Sequence, residues 1–563
     1  MMHSKELVAE TISKQLGVGC ERVRELLEVP PDEKLGDYAM PCFSFAKELK
    51  KAPPVIAQEF AQKLSSKDFS VEVSGPYLNI RLERQRLAKR VLTAAREENY
   101  GKGSQGERVM VEFSQPNTHK AFHAGHLRGT SMGEALARIL SFAGWDVVRA
   151  NYSGDTGMHV ARWLWCYTRF HAGEQPPKQG RGAWLASIYV DAMRRLAEQP
   201  ALQEEADKIN LALDKGEDEE LMALWRKTRQ WSIDEFEAIY RELDTHFDIW
   251  IFEREVEARA REVAQELLAK GIAEKSDGAV IVNLEEEGLG VWVLLRQDGT
   301  PLYSAKDLAL AEKKFTEHKI DRAIYVVGKD QELYFKQLFT TLKRWGFSQA
   351  ERCFHLCFEM VRLPDGKMSS RTGKNILYTD VRDEVFAYTE EQIRARHADW
   401  PEEKIRETVH AVGVCALKFE MIVRDINKSI IFETKRVCDF EGDTGPYVQY
   451  THARCNSILR KLGRAPDMRR AVFSSLSESE YRLVKELERF PSIISEVATS
   501  LEPAPLARYA LALAKAFNTF YHECKVIGAE QGVEDARALL VDATRLVLAR
   551  ALTLLGIKAP KEM

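Results

Sequence analysis

Two histidines with a glycine between them stand where a polar loop meets the start of a helix-like segment. His123 and His126 flank Gly125 in HAGH. Backbone N–H groups in the first helical turn are unpaired and attract phosphate, and glycine lets a ligand approach the backbone closely. Imidazole N–H groups there can stabilise charge developing on phosphate oxygens. The pattern predicts a phosphate site, although paired histidines at a helix start also serve structural and metal-binding roles.

A second short motif follows far downstream. Lys367, Met368, Ser369 and Ser370 come after an apolar segment at 353–361 and a Pro-Asp-Gly turn. An ammonium and two hydroxyl groups on a mobile loop can hold a polyphosphate in the transition state and release it afterwards. We therefore expect this loop to act on the same ligand as the two histidines.

The elements around both motifs predict an α/β nucleotide-binding fold. RVMVEF at 108–113 is a short apolar run of β-branched character, and apolar residues recur at helical spacing over 126–143. A strand, a glycine-containing loop and a helix in this order are typical of such folds. Further buried strands are predicted at 321–327 and 353–361, with a helix between them.

The pattern along the chain predicts several domains. Residues 1–105 form a small α+β N-terminal domain, and 106–380 form a Rossmann-type α/β domain. Mostly helical, charge-rich sequence at about 160–275 is too long for a connection, so we interpret it as an insertion. Residues 381–435 are a connecting helical segment, and 436–563 form an all-α bundle.

Composition excludes several classes of protein. The 563 residues are 45% hydrophobic and 29% charged, as in ordinary globular proteins. A net charge of −4 excludes a uniformly basic nucleic-acid binder but not a local basic face, such as the run from Arg454 to Arg470. The alternative interpretation, which assigns no function to this run, is a solvated helix surface. With no apolar leader and no long uncharged run, we expect a cytoplasmic protein without membrane contact.

Cysteine usage predicts neither disulfides nor a metal centre. The nine cysteines include no CxxC pair. Cys353, His355 and Cys357 share one face of a predicted strand, but side chains at this spacing usually belong to the core and a fourth ligand is not evident.

Ordered segments along essentially the whole chain resemble one family. HAGH and KMSS resemble the two motifs of class I aminoacyl-tRNA synthetases, and the surrounding sequence resembles arginyl-tRNA synthetases in particular. The matching segments are GDYAMP at 36–41, GPYLNI at 75–80, VEFSQPNTHKAFHAGHLRGT at 111–130, NYSGDTGMH at 151–159, LYSAKDLALA at 302–311, VVGKDQELYFKQLF at 326–339, GPYVQYTHAR at 445–454 and the final LLGIKAPKEM.

The resemblance implies a fold, a reaction and partners. The three expected parts are an N-terminal tRNA-core-binding domain, a Rossmann-type catalytic domain with an insertion, and a helical anticodon-binding domain. The implied enzyme activates arginine with ATP, accompanied by Mg²⁺, and transfers it to the 3′ end of tRNA(Arg). Since no feature demands a dimer, we expect a monomer.

The resemblance also implies roles for individual residues. Catalysis falls to His123, His126, Lys367, Ser369 and Ser370. Contact with ATP involves His123, Gly125, His126, Lys367 and Met368. Arginine binding falls to Glu112, Gln115, Pro116, Asn117, His126, Glu253, Tyr303, Asp307 and Gln331.

The chemistry of free arginine supports this pocket. A guanidinium has five donors and no acceptor, so its site needs carboxylates and hydroxyls. Tyr303 and Asp307 are four residues apart and share one helix face. Glu253 departs from the family in its neighbours, because Phe252-Glu253-Arg254 stands where Gly-Glu-Ser is common.

For tRNA, the resemblance points to Tyr447, Tyr450 and Met563. Aromatic rings near basic residues can stack on unpaired bases, at about 1–3 kcal/mol per base. Tyrosines buried at a helix end are the alternative. Two other functions also remain open, a relative that adenylates an amino acid without charging tRNA and a non-catalytic RNA-binding relative.

Overall fold

The computed structural model describes residues 3–362 and 376–563. Its first part contains the strands β1 (Tyr38–Pro41), β2 (Phe69–Ser74) and β3 (Tyr77–Leu82), and the helices α1 (Ser4–Leu16), α2 (Cys20–Leu26), α3 (Ala46–Leu49), α4 (Pro53–Lys63) and α5 (Arg84–Ala95). The strands form an antiparallel sheet in the order β1-β3-β2. Alternating residues of this sheet face the helices, so the unit is the small α+β domain that the sequence predicts.

The central part holds a parallel sheet and a smaller antiparallel one. Its strands are β4 (Arg108–Glu112), β5 (Asp146–Ser153), β6 (Ile249–Phe252), β7 (Glu274–Ser276), β8 (Ala279–Leu284), β9 (Gly290–Leu295), β10 (Arg322–Gly328), β11 (Cys353–Phe358) and β12 (Val361–Arg362). Its helices are α6 (Ala124–Phe142), α7 (Met158–Phe170), α8 (Arg181–Glu198), α9 (Gln203–Lys215), α10 (Glu219–Glu242), α11 (Glu253–Ala269), α12 (Tyr303–Glu317) and α13 (Glu332–Trp345). The parallel sheet has the order β11-β10-β4-β5-β6, and β7, β8 and β9 form the antiparallel one.

The strand order places a crevice between β4 and β10. From β4 the chain continues outward through β5 and β6, and it returns to the other side of β4 with β10 and β11. In open parallel sheets, ligands bind beyond the carboxyl ends of the strands at such a reversal. The loop from β4 into α6, which carries HAGH, starts at this point.

The segment at about 160–275 is more closely integrated with the sheet than a purely helical insertion. It contains β6, which is an edge strand of the central sheet, and α11, whose residues join the core beside that sheet. Its four residues are all apolar, but so short a run between long helices does not distinguish a strand from a helical segment. The helices α7 to α10 before it have a hydrophobic core of their own.

The last part of the chain is helical. It contains α14 (Tyr378–Arg396), α15 (Glu402–Val423), α16 (Thr434–Val437), α17 (Gly445–Leu462), α18 (Glu478–Ser500), α19 (Ala504–Glu523) and α20 (Val533–Leu554), with one short strand, β13 (Ile430–Ile431), paired with β12. One hydrophobic core runs from α1 and α5 through α6 into α18, α19 and α20. Within the described ranges, no helix has the length and apolar character needed to cross a membrane. The predicted multidomain fold class is confirmed.

Helix α6 lies so close to the end of β4 that it requires glycine at one position. A Cβ at Gly133 would lie 2.2 Å from the ring of Phe113, whereas a Cβ at Gly129, one turn earlier, would meet its nearest atom at 3.4 Å.

We expect Gly133→Ala to destabilise the protein by about 1–3 kcal/mol through overpacking. The matched Gly129→Ala should be neutral or stabilising, since alanine favours a helix interior by up to about 1 kcal/mol. Thermal unfolding of both variants tests this, and equal melting temperatures would contradict the close packing.

Candidate active site

The two histidines of HAGH form the N-terminal cap of α6. His123 accepts hydrogen bonds at Nδ1 from the backbone N–H groups of Gly125, at 3.1 Å, and His126, at 3.4 Å. The N–H of His123 in turn donates to Nδ1 of His126 at 3.2 Å, and the two rings stack with centroids 3.7 Å apart. Since each Nδ1 is an acceptor, the proton of each neutral ring is on Nε2. The pair therefore presents two N–H donors at a helix N-terminus.

Both imidazoles are uncharged near neutral pH. Burial lowers the pKa of His123 to about 4, and the nearby charge of Lys120 lowers it further. Burial also holds the pKa of His126 well below its usual value, with smaller contributions from His123 and Lys120. The sequence patterns do not single out Lys120. Burial lowers its pKa, and the charge of Glu253 partly offsets that effect.

The loop from β4 to α6 has an unusual backbone. Ser114, Gln115 and His119 have positive φ angles of 76°, 46° and 61°, a conformation that costs free energy for residues other than glycine. Neighbouring elements hold it there. The hydroxyl of Ser114 bonds that of Tyr240 at 2.7 Å, and the N–H of His119 donates to Ser232 at 2.9 Å, both on α10. The inserted helices thus brace the loop that carries the predicted site.

Gly154 allows two predicted site residues to meet. A Cβ on Gly154 would lie 2.3 Å from Oδ1 of Asn117 and 2.9 Å from Oε1 of Glu253. The carbonyl of Gly154 also accepts the backbone N–H of Thr118 at 2.9 Å. The absence of a side chain on Gly154 therefore brings the β4–α6 loop and the start of α11 together at one wall of the pocket.

Lysines of α12 neutralise two of the three predicted carboxylates. Lys314 lies 2.6 Å from Glu112, and both side chains are buried. Lys306 lies 3.3 Å from Glu253 and 3.7 Å from Glu257. Desolvation nevertheless raises the pKa of Glu253 to about 7, and the lysine only partly offsets this.

Asp307 is the carboxylate that has no such ion pair among the described residues. Its Oδ2 accepts a hydrogen bond of 2.5 Å from the hydroxyl of Tyr334, while its buried Oδ1 has no hydrogen-bond partner in the described ranges. Burial raises the pKa of Asp307 to about 7, and the charge of Glu112 adds to this effect. The buried hydroxyl of Tyr152 also lacks a partner within those ranges, and the charges of Asp307 and Glu253 both raise its pKa. Unpaired polar atoms that converge in this way suit a cationic ligand rich in donors.

The structure brings most of the predicted arginine-binding residues to this crevice. Tyr303 begins α12 with half of its surface exposed, and Glu253 and Asp307 both raise the pKa of its hydroxyl. Gln115 donates to Glu112 at 3.5 Å, and the carbonyl of the buried Pro116 accepts the hydroxyl of Ser153 at 2.6 Å. Gln331 is exposed just after β10, at the same edge of the sheet. Lys367, Met368, Ser369 and Ser370 lie outside the described residues.

The residues predicted to bind tRNA meet at a second place, in the C-terminal helices. Tyr447, Tyr450 and Met563 line one cavity of about 400 Å³. The guanidinium of Arg454 lies 4.8 Å from the ring centre of Tyr450 and donates to Asn518, which in turn donates to the hydroxyl of Tyr447 at 2.7 Å. Both tyrosines are half-buried, so their rings are partly accessible.

Most of the basic run is engaged within the chain. Arg460 pairs with Glu562, Arg464 lies 2.5 Å from Asp535, and Arg469 and Arg470 both pair with Asp467. These pairs leave a less basic surface than the sequence suggests.

Cys353, His355 and Cys357 are half-buried on the edge strand β11. Nε2 of His355 lies 3.0 Å from the carbonyl of Val327, and its ring stacks on Phe335. The ring of His355 therefore makes its contacts with neighbouring residues of the sheet and of α13.

A parallel sheet with a histidine-capped helix at its strand reversal, followed by a helical domain, defines a class I aminoacyl-tRNA synthetase. Family models match in the same order along the chain: "Arginyl tRNA synthetase N terminal domain" at 2–82, "tRNA synthetases class I (R), catalytic domain" at 89–433, and "DALR anticodon binding domain" at 448–563. The chain belongs to the arginyl-tRNA synthetase family.

Individual relatives extend over the whole chain. It is 37% identical to an arginine–tRNA ligase of Bdellovibrio bacteriovorus, over 95% of this chain and 93% of the relative. It is 35% identical to an arginine–tRNA ligase of Clostridium perfringens over the full length of both. The solved arginyl-tRNA synthetase of Thermus thermophilus superposes on all of it with a TM-score of 0.82 at 28% identity.

Proposed function

We propose that this chain is an arginine–tRNA ligase, which activates arginine with ATP and transfers it to tRNA(Arg). The observation that carries the proposal is the buried carboxylate of Asp307, whose Oδ1 is unpaired within the described ranges. It lies in a crevice next to imidazole donors at a helix N-terminus. The crevice thus combines a place for a cationic side chain with a place for phosphates.

Arginine recognition rests on the division of charge in the pocket. Because Lys314 and Lys306 pair with Glu112 and Glu253, Asp307 is the counter-ion of the incoming guanidinium. Tyr334 holds one oxygen of Asp307, so the other accepts from the ligand. The hydroxyls of Tyr303 and Tyr152 accept further guanidinium N–H groups; the effect of the Asp307 and Glu253 charges on the pKa of both tyrosines supports this role. Asn117, Gln115, His126 and Gln331 serve the α-amino and carboxylate end, as the family resemblance implies.

Activation requires charge to be stabilised on the phosphates. An oxygen of the arginine carboxylate attacks the α-phosphorus of ATP, and the bond to pyrophosphate breaks. The Nε2–H groups of His123 and His126 donate to the phosphate oxygens in the transition state, and the ammonium of Lys367 adds positive charge. Imidazole N–H groups and Lys120 are donors, which suit phosphate oxygens and not a cation. We therefore expect Mg²⁺ to arrive bound to ATP, and we derive no step through a protein-bound metal ion.

The second step joins the arginyl group to the terminal adenosine of the tRNA, at the 2′-hydroxyl as in class I enzymes. The cavity lined by Tyr447, Tyr450 and Met563 has a volume and aromatic walls that suit an unpaired anticodon base. Arg454, stacked on Tyr450, provides a cation close to the phosphate of such a nucleotide.

Two assays run side by side separate this function from its alternatives. We expect both arginyl-adenylate and arginyl-tRNA to form when arginine, ATP and total tRNA are supplied, with lysine as the control amino acid. Adenylate without charged tRNA would indicate an amino-acid-activating relative. Tight tRNA binding with neither product would indicate a non-catalytic RNA-binding relative.

Asp307→Asn should weaken arginine recognition far more than ATP recognition. The amide keeps the shape of the side chain but presents donors to a guanidinium that has only donors. Loss of a charge-assisted contact is worth about 1.5–3 kcal/mol, and a guanidinium left partly unpaired in a closed pocket adds to the loss. The KM for arginine should therefore rise by about tenfold to several hundredfold. The KM for ATP should change little, and neutral citrulline should be less strongly disfavoured by the variant. An unchanged KM for arginine would remove Asp307 from the pocket.

The pKa of Asp307 also predicts a dependence on pH. Arginine needs the ionised carboxylate, so with a pKa of about 7 the KM for arginine should be about tenfold higher at pH 6 than at pH 8. Tyr334→Phe removes a hydrogen bond that lowers the pKa of Asp307. In this variant the decrease in KM for arginine should therefore occur at higher pH. Asp307→Asn should reduce the dependence on pH to the part that Glu253 contributes.

The stability of the ligand-free protein should fall as pH rises, whereas arginine binding should strengthen. Because the native pKa of Asp307 exceeds its ordinary value of 3.8, ionisation favours the unfolded chain as pH rises through this interval. The ligand-free Asp307→Asn variant should therefore melt at a higher temperature than the parent at pH 8. A lower melting temperature would contradict an uncompensated buried charge.

A further inference from the structure

Three possible metal ligands meet in the inserted helices, away from the active site. Cys166 lies near the end of α7, His171 follows that helix directly, and Asp191 lies on the antiparallel neighbour α8. One ligand atom from each of them lies within 4.8 Å of the other two. No spacing motif predicts this group, because its members come from two helices.

The distances within the group match a tetrahedral zinc site. Sγ of Cys166 lies 3.5 Å from Oδ2 of Asp191, and Nε2 of His171 lies 3.1 Å from the same oxygen. With usual bond lengths to zinc, the corresponding edges of a tetrahedron are about 3.5 Å for sulfur to oxygen and about 3.3 Å for nitrogen to oxygen. These two edges of the triangle therefore fit a bound cation after shifts of a few tenths of an ångström, and the three atoms all lie within 4.8 Å of one another.

The imidazole of His171 faces a carboxylate oxygen at each ring nitrogen. Its Nδ1 lies 2.9 Å from Oε1 of Glu174, and its Nε2 lies 3.1 Å from Oδ2 of Asp191. A neutral imidazole has one N–H and satisfies only one of these oxygens. When Nδ1–H donates to Glu174, either a second proton or a metal cation at Nε2 compensates the charge of Asp191.

Glu174 is held in the position of an outer-shell partner. The indole of Trp184 donates to its other carboxylate oxygen at 3.4 Å, and the hydroxyl of Tyr167 donates to its backbone carbonyl at 2.7 Å. A carboxylate that accepts from the far nitrogen of a metal-bound histidine is a regular feature of zinc sites. Asp191 is also fixed, since Arg194 binds its Oδ1 at 2.5 Å and Arg195 binds its Oδ2 at 2.7 Å.

From this geometry we propose a zinc site formed by Sγ of Cys166, Nε2 of His171 and Oδ2 of Asp191, with water as the fourth ligand. Cys166 is fully buried, whereas His171 and Asp191 retain 23% and 16% of their side-chain exposure, so the metal enters from their side. Binding releases the thiol proton of Cys166 to solvent as the sulfur–metal bond forms. The bound ion would cross-link α7 to α8 within the helices that brace the β4–α6 loop.

Cobalt provides a direct test on the full-length protein. Co²⁺ added to the metal-free chain should give a thiolate charge-transfer band in the near ultraviolet and the visible bands of tetrahedral cobalt, at one equivalent per chain. Zn²⁺ should bleach both, and competition with a chelating dye gives its affinity. The apparent affinity should rise with pH, because a proton is released.

Two variants and one control make the result decisive. Cys166→Ser should abolish the charge-transfer band, whereas Cys20→Ser, which removes an exposed cysteine elsewhere, should keep it. Glu174→Gln, at a half-exposed position where the fold is not at risk, should weaken zinc binding by about 10–100-fold. Absence of the band, its survival in Cys166→Ser, or unchanged zinc affinity in Glu174→Gln would each overturn the proposal.

Discussion

A buried carboxylate that has no cationic partner among the described residues is the feature on which the crevice depends. Burying an unpaired charge costs several kcal/mol, and folded proteins usually remove that cost by pairing the group. Here two lysines of α12 approach the pocket, yet each pairs with a glutamate, while Asp307 is supported by a single tyrosine hydroxyl. Trp292 packs edge-on against that tyrosine and helps to keep water away. The pocket is therefore more stable with a cation bound, and a neutral ligand of the same shape cannot supply that stabilisation.

A second cost lies in the backbone beside the pocket. Three non-glycine residues of the β4–α6 loop adopt positive φ angles. Hydrogen bonds of Ser114 and His119 to α10, and one from Ser153 at the end of β5 to the carbonyl of Pro116, hold the loop in place. The inserted helices are thus part of the catalytic scaffold. Movements of α10 would alter the positions of Asn117 and the two histidines, which connects the insertion to phosphate and arginine recognition.

Local patterns in the sequence were sufficient for some parts of this architecture. The β4–loop–α6 unit, the strand at β10 and the C-terminal helices follow from apolar periodicity, and the family resemblance identified most residues of the crevice. The edge strand β6 was not predicted, because a run of four apolar residues between long helices does not by itself distinguish a strand from a helical segment. The pairing of Lys306 and Lys314 with glutamates also escaped prediction, since it joins elements far apart in the chain. Tyr152 and Tyr334 lie within matching segments, but only the fold shows that their hydroxyls face Asp307.

Gly154 has a consequence for how this pocket can evolve. Its missing side chain is the space that Asn117 and Glu253 occupy, so any larger residue there displaces both of them at once. Shortening Asn117 or Glu253 alone would still leave alanine at 154 too close to the other, so alanine fits only where both side chains have changed. We therefore expect the three positions to show strong epistasis and to diverge together in lineages that change substrate. A substitution at one of these three positions would be tolerated only where the other two have already changed.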